Sequence, residues 1–248
     1  MKVRLFIVLF LVLSLTAAGQ FDGVYRDARA AAMGGCLTRQ EDSTGFIEIG
    51  WRQGFMLDGM AARSLAVGAP VGKSGSAAAY YNGFGDEDYN EHQVAAGYGI
   101  AVAPLLRVVV YGLYSRVGTA DGHYAAQQWL DAGGGIVLEK GRTWGYLVAG
   151  SRTWSDERPW MLHGGISFRH TEQILSVMGV SLEERLRVRC GMEYAHERQV
   201  FVRAGLCTNP MVLTFGVGYR QRHYHIDIST EVHSSLGLSP QISLGICL

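Results

Sequence analysis

His223, His225, Asp227, Ser229, Glu231 and His233 alternate with Tyr224, Ile226, Ile228, Thr230 and Val232 near the end of the chain. Imidazoles and carboxylates two apart on one strand face share a side, and such groups can hold zinc or copper. The spacing matches no recognised metal site, so polar filling of an interior is the better reading. Ser229 beside His225 and His233 echoes a nucleophile with its base. Neighbours two apart on a strand stand side by side and rarely bond in that way, and a third, orienting group is missing. Gly133-Gly134-Gly135 lies inside an apolar run with no helix after it, so it marks a bend or close contact and not a phosphate cradle. No catalytic residue, metal site or cofactor is assigned, and the chain reads as a non-enzyme.

A second charged row runs through the preceding segments. Arg185, Arg187, Arg189 and Glu193 alternate with Leu186, Val188, Cys190, Met192 and Tyr194. Arg203 falls between Val202 and Ala204, and Arg220 follows Tyr219. These guanidiniums share a parity with His225, Asp227 and Glu231. One reading is a charged lumen that contacts a solute or a plug. The other is a ladder of ion pairs that neutralises itself, since unpaired charge in a low dielectric is costly. The two are compatible. Asp27 or Arg29 of the N-terminal region is expected to dock on this ladder.

The elements that must carry these rows follow from their period. Side chains alternate across a strand, whereas a helix would scatter them around its circumference. Each run has one apolar face and one small or polar face. The polar face is too charged for a packed core, and the apolar face too regular for a solvated surface. A membrane β-barrel meets both conditions, with lipid outside and a polar interior. Similar runs recur from Phe46 to Leu248, separated by turn signals such as Gly72-Lys73-Ser74-Gly75 and Glu139-Lys140-Gly141-Arg142. They number about twelve to fourteen, each near the length that crosses a bilayer at a tilt. Tyr80, Tyr81, Tyr114, Trp129, Trp144, Trp154, Trp160, Tyr194, Tyr219 and Tyr224 collect near run ends, where rings with a polar edge are expected to meet the membrane interface. A soluble sandwich with an aromatic core is the alternative. The expected fold class is all-β: a single antiparallel transmembrane β-barrel with a short N-terminal plug segment.

Composition agrees. Charged residues are 18%, glycines number 33 and the formal net charge is +0 over 248 residues. Low charge and high glycine suit close-packed strands, and the absence of net positive charge gives no sign of a nucleic-acid partner. Lys2 and Arg4, the apolar run Leu5–Leu15 and Thr16-Ala17-Ala18-Gly19 read as a secretory leader, residues 1–19, cleaved near Gln20. Residues 20–44 then form the plug or hatch, with Arg29, Met33, Gly34 and Gly35 as its contact residues, and residues 45–248 the barrel. This places the protein in the bacterial outer membrane, with its lipid as the constant partner. Cys36, Cys190, Cys207 and Cys247 show no metal spacing. Cys190 falls on the apolar face, and a bridge from Cys36 to Cys207 or Cys247 is the disulfide weighed.

Ala28-Arg29-Ala30-Ala31-Ala32-Met33-Gly34-Gly35-Cys36-Leu37-Thr38, followed by Glu41-Asp42, resembles the opening of mature FadL-like outer-membrane proteins of the Bacteroidetes type, which include the PorV and PorQ group of type IX secretion. In place of that family's N-P-A-G turn stands Ser43-Thr44-Gly45-Phe46. The resemblance implies a barrel with an N-terminal hatch. It also implies either passage or binding of small hydrophobic solutes, or a non-transporting scaffold that meets secretion-system or exported proteins.

Overall fold

The structure, a computed structural model, describes residues 27–37, 45–120, 125–151, 160–182, 185–197 and 199–248. The expected leader and its cleavage point, the outer parts of segment 20–44, and the turn at Glu183-Glu184 lie outside these residues. Among the described residues fourteen antiparallel strands close into one barrel. They are β1 Phe46–Gln53, β2 Ala61–Val71, β3 Gly75–Gly85, β4 Tyr89–Ala103, β5 Leu106–Thr119, β6 Gln127–Lys140 and β7 Thr143–Ser151. The second half is β8 Trp160–Arg169, β9 Ile174–Leu182, β10 Leu186–His196, β11 Val200–Cys207, β12 Val212–Gln221, β13 Tyr224–His233 and β14 Gly237–Cys247. Each strand pairs with its chain neighbours. β1 also pairs with β14, from Phe46 opposite Cys247 to Arg52 opposite Gln241, so no edge is left open.

The period-two pattern has a direct physical outcome here. Ile226, Ile228, Phe215 and Val217 are 43–51% exposed, while Asp227, Thr214 and Ser229 on the same strands are 2–3% exposed. A soluble domain would reverse those values. The greasy rows face outward, where lipid lowers their free energy, and the polar rows face a lumen. Cys190 faces outward in the row with Met192, and Gly133-Gly134-Gly135 lies in the middle of β6. No described helix is long and apolar enough to cross a membrane.

The two ends differ. Connections on the end that carries Phe46 and Cys247 are short, down to residues 104–105, 141–142 and 222–223. Those at the other end reach residues 54–60, 120–126 and 152–159. Outer-membrane barrels keep short turns on the periplasmic side and longer loops outside. The ends are therefore called the turn end and the loop end below.

A further short helix, α1 (Ala28–Ala32), lies within the barrel. Five residues cannot form a stable helix alone, so packing must hold it. Asp27 caps it, its carboxylate accepting the Ala30 N–H at 2.5 Å. Gly34 and Gly35, at φ +72° and +77°, then turn the chain in the left-handed region that glycine occupies without a Cβ clash. Ala28, Ala32 and Met33 have no exposed surface, and Met33 and Cys36 pack on Leu175 and Val177 of β9. The dry packing of this molecule therefore sits between the N-terminal segment and the inner wall.

Candidate functional site

The inner wall is shaped to receive that segment. Gly191, Gly205 and Gly216 point inward from β10, β11 and β12. A Cβ on them would lie 2.6 Å from Met33 Cβ, 2.3 Å from the Gly34 nitrogen and 2.5 Å from Ala32 Cβ. No side chain larger than hydrogen fits at these three places. In return, a Cβ on Gly34 would meet the Leu206 carbonyl oxygen at 2.6 Å. Thr214 stitches the contact: its Oγ1 accepts the Gly34 N–H at 2.9 Å and its hydroxyl donates to the Ala32 carbonyl at 2.9 Å. The Ala28 N–H donates to Ser243 Oγ at 3.4 Å.

Charge then fixes the register. Arg29 donates through Nε and Nη2 to both oxygens of Glu193, at 2.9 and 2.8 Å. Arg203 donates from Nε to the same carboxylate at 2.7 Å and from Nη1 to Asp227 Oδ1. Two guanidiniums and two carboxylates thus form a continuous chain, Arg29–Glu193–Arg203–Asp227, with all four groups nearly buried. Charge-assisted, partly bidentate bonds of this kind are the strong ones, and each member would be costly without its partners. Gly218 leaves the room for it, since a Cβ there would fall against Asp227 and Arg203.

The sequence-based candidates distribute as follows. Arg29, Glu193, Arg203 and Asp227 come together at the segment, and Met33, Gly34 and Gly35 form its turn. His225 Nε2 stands 3.2 Å from Glu48 Oε2 in the lumen. Arg189 donates to Ser181 Oγ at 2.8 Å. Arg220 lies half-buried with its guanidinium 5.3 Å from the Phe201 ring centre. Glu231 pairs with Arg52 at 2.6 Å towards the loop end, and Arg187 reaches the Asn209 carbonyl at 3.1 Å. Arg185 is a correction: it stands exposed in the connection just before β10, not in the lumen. Alternation fails there because the strand starts one residue later. Of the Asp27-or-Arg29 expectation, Arg29 makes the ion pair and Asp27 caps the helix.

The histidines do not gather. His223 sits exposed in the turn between β12 and β13, His225 is buried in the lumen, and His233 closes β13 at the other end. Among the described residues no three His, Cys, Asp or Glu side chains are placed to hold a metal ion. Ser229 Oγ is buried and bonds neither histidine. None of the four cysteines is in a disulfide, which corrects the weighed bridge. Cys36 lies against β9, with its Sγ 3.6 Å from where a Cβ on Gly179 would be.

Sequence reasoning missed Glu48, Thr214, Ser243, and the three wall glycines. Their parity was the available signal, since each shares a row with a charged or polar lumen residue. What turns them into a recess is register. Gly191 lies opposite Gly205, and Gly205 opposite Thr214.

The other half of the wall sets aromatic rings among its buried polar groups, which include Glu91, Gln93, Asp131 and His163. Tyr80, Tyr111, Leu113, Trp144, Tyr146 and Met161 point inward from β3, β5, β7 and β8, the opposite parity to their lipid-facing neighbours. Tyr111 lies across Gly133 and Gly150, where added Cβ atoms would meet its ring or hydroxyl at 2.4 Å, and Tyr146 lies across Gly165 at 2.6 Å. Rings laid flat on glycines line the wall without filling the lumen.

Two cavities flank the N-terminal segment. One, of about 390 Å³ at the turn end, has Arg29, Arg142, Arg169, Arg220, Trp144 and Phe201 in its wall. The other, of about 250 Å³ at the loop end, is bounded by Gly34, Thr214, Arg52, Phe55, Glu231 and His233. The segment stands between them.

A closed barrel with a lipid-facing apolar exterior and a chain segment docked in a charged lumen defines an outer-membrane β-barrel. Its fold is shared with solved outer-membrane barrels. It is similar to the toluene transporter TodX of Pseudomonas putida, with TM-score 0.64 and 11% identity over 90% of this chain and 98% of that one. A TodX variant described as a monoaromatic hydrocarbon channel superposes with TM-score 0.65 and 10% identity over 91% and 99%. The outer membrane protein Omp33 of Acinetobacter baumannii gives TM-score 0.57 and 7% identity over 83% and 98%. No family model and no curated protein matches the sequence.

Proposed function

We propose that this barrel passes small hydrophobic solutes across the outer membrane, with residues 27–37 acting as a plug that must move to open the route. One observation carries the reading: aromatic rings line the lumen on strands that do not bond the plug. The plug is bonded to the charged wall of β10–β13, through Glu193, Arg203, Thr214 and Asp227. The strands β3–β8 carry the rings of Tyr80, Tyr111, Trp144 and Tyr146 among polar Glu91, Gln93, Asp131 and His163, with Tyr111 and Tyr146 lying across glycines. An apolar solute gives up no hydrogen bonds where it packs on those rings. The plug's own bonds are made to other strands, so its displacement need not disturb the rings. The fold shared with a toluene transporter and a monoaromatic hydrocarbon channel supports the same solute class.

The test is uptake by intact cells that carry the chain in their outer membrane, since phospholipid vesicles alone leak apolar molecules. Labelled toluene is expected to enter faster than in cells without the chain, while a sugar of similar size shows no gain. Equal uptake of toluene with and without the chain contradicts the proposal. The N-terminal Ala-Arg-Ala-Ala-Ala-Met-Gly-Gly motif favours a second reading, an anchor for a secretion assembly. A barrel that gives no uptake and co-purifies with an exported protein would support it instead.

A further inference from the structure

The turn between β1 and β2 borders the loop-end cavity through Gly54, Phe55 and Met60, and that turn is held in an unusual way. Phe55 and Met56 have φ of 51° and 57°, the left-handed region that non-glycine residues seldom adopt. Three contacts keep them there. The Phe55 N–H donates to Ser239 Oγ at 2.9 Å. The Phe55 ring meets the His233 ring edge-to-face, with centroids 6.1 Å apart. The Gly54 N–H donates to the Met60 carbonyl at 2.8 Å, closing the turn's base.

His233 is itself committed. Its Nδ1 accepts the N–H groups of both Ser235 and Leu236, at 3.1 and 3.2 Å. Both bonds use the one lone pair of that nitrogen. We propose that the β1–β2 turn is a lid over this cavity, and that protonation of His233 releases it.

A proton on Nδ1 removes the lone pair that both amides use, so the β13–β14 turn loses its internal anchor and the ring loses its fixed pose against Phe55. The strained turn then relaxes outward. The charges around His233 push the same way. Glu231, its neighbour on the strand face, is already bonded to Arg52 of β1. Arg187 of β10 borders the same cavity. On β12 and β14 the residues opposite His233 are Val212 and Gly237, which carry no charge. Asp58 of the lid is exposed, and Asp86 of the β3–β4 connection sits against Gly59 at the lid's far side. An imidazolium would thus enter a cavity holding two guanidiniums and one engaged carboxylate. Histidine is the side chain whose charge ordinarily changes between pH 5 and 8.

Cys207 borders the cavity beneath the lid and reports on it directly. Its alkylation by a small membrane-impermeant maleimide, applied from the loop end, is read by peptide mass spectrometry. Each rate is divided by that of Phe55→Ala, which lacks the lid's ring and serves as the open reference, so that the thiol's own pH dependence cancels. At pH 8 the wild-type ratio is expected to be about one tenth, and at pH 5.5 to approach one. In His233→Gln the ratio is expected to be the same at both pH values. A wild-type ratio that does not change with pH, or an equal rise in His233→Gln, overturns the proposal. No solute enters the experiment, so its outcome is independent of the uptake test.

Discussion

Glu193 is where a single residue has the most leverage, because it accepts from Arg29 of the plug and Arg203 of the wall together. Changing it to glutamine leaves two guanidiniums in the lumen without their shared charge, at a cost on the order of 3 kcal/mol. The strands are held by continuous ladders and the plug by a few contacts, so the plug gives way. Trypsin cleavage after Arg29 in Glu193→Gln is expected to accelerate roughly a hundredfold, with the heat-modifiable gel mobility of the barrel unchanged. Gly205→Ala tests the recess by shape instead of charge. Its Cβ would lie 2.3 Å from the Gly34 nitrogen, so the plug is expected to lose about 1–3 kcal/mol of docking, again read as faster cleavage after Arg29. Unaltered protection in both variants would mean that these contacts do not hold the segment.

At the level of elements, β13 shows why the strands were legible and the recess was not. Its alternation depends on local sequence alone, so Ile226 and Ile228 could be assigned to lipid and Asp227 and Ser229 to the lumen without knowing any partner strand. The pocket for the plug depends on which glycine of β10 faces which glycine of β11, and that register is set by long-range pairing. The start of β10 was misplaced around Arg185 for a related reason: strand ends are fixed by turns and neighbours, not by alternation. β13 also offers a paired test of the two faces. Ile228→Arg puts a cation into lipid near mid-strand and is expected to cost about 2–4 kcal/mol in urea unfolding from lipid vesicles. Ser229→Ala, one residue on, removes a buried hydroxyl that has no hydrogen-bond partner and is expected to change stability little or to raise it slightly. The reverse ranking would put the faces the wrong way round.

Among the described residues the molecule is a fourteen-stranded wall, with inward rings on β3–β8 and a segment of its own chain bonded to β10–β13. Barrel, lipid-facing rows and inward N-terminal segment followed from the sequence, since period, glycine content and the Ala-Arg-Ala-Ala-Ala-Met-Gly-Gly motif are local features. The grouping of inward rings on neighbouring strands did not, because it appears only when the order of strands around the barrel is known. Passage then depends on whether the plug can leave the charged wall. Gly179→Cys brings a second thiol against native Cys36, whose Sγ already lies 3.6 Å from that Cβ position, within reach of a disulfide between plug and β9. Uptake of labelled toluene by cells carrying this variant is the most direct measurement of the claim. Oxidation is expected to abolish the uptake and a reductant to restore it, with the wild type indifferent to both. Equal uptake with the bridge formed and broken would show that the solute passes without the plug moving, and would contradict the account.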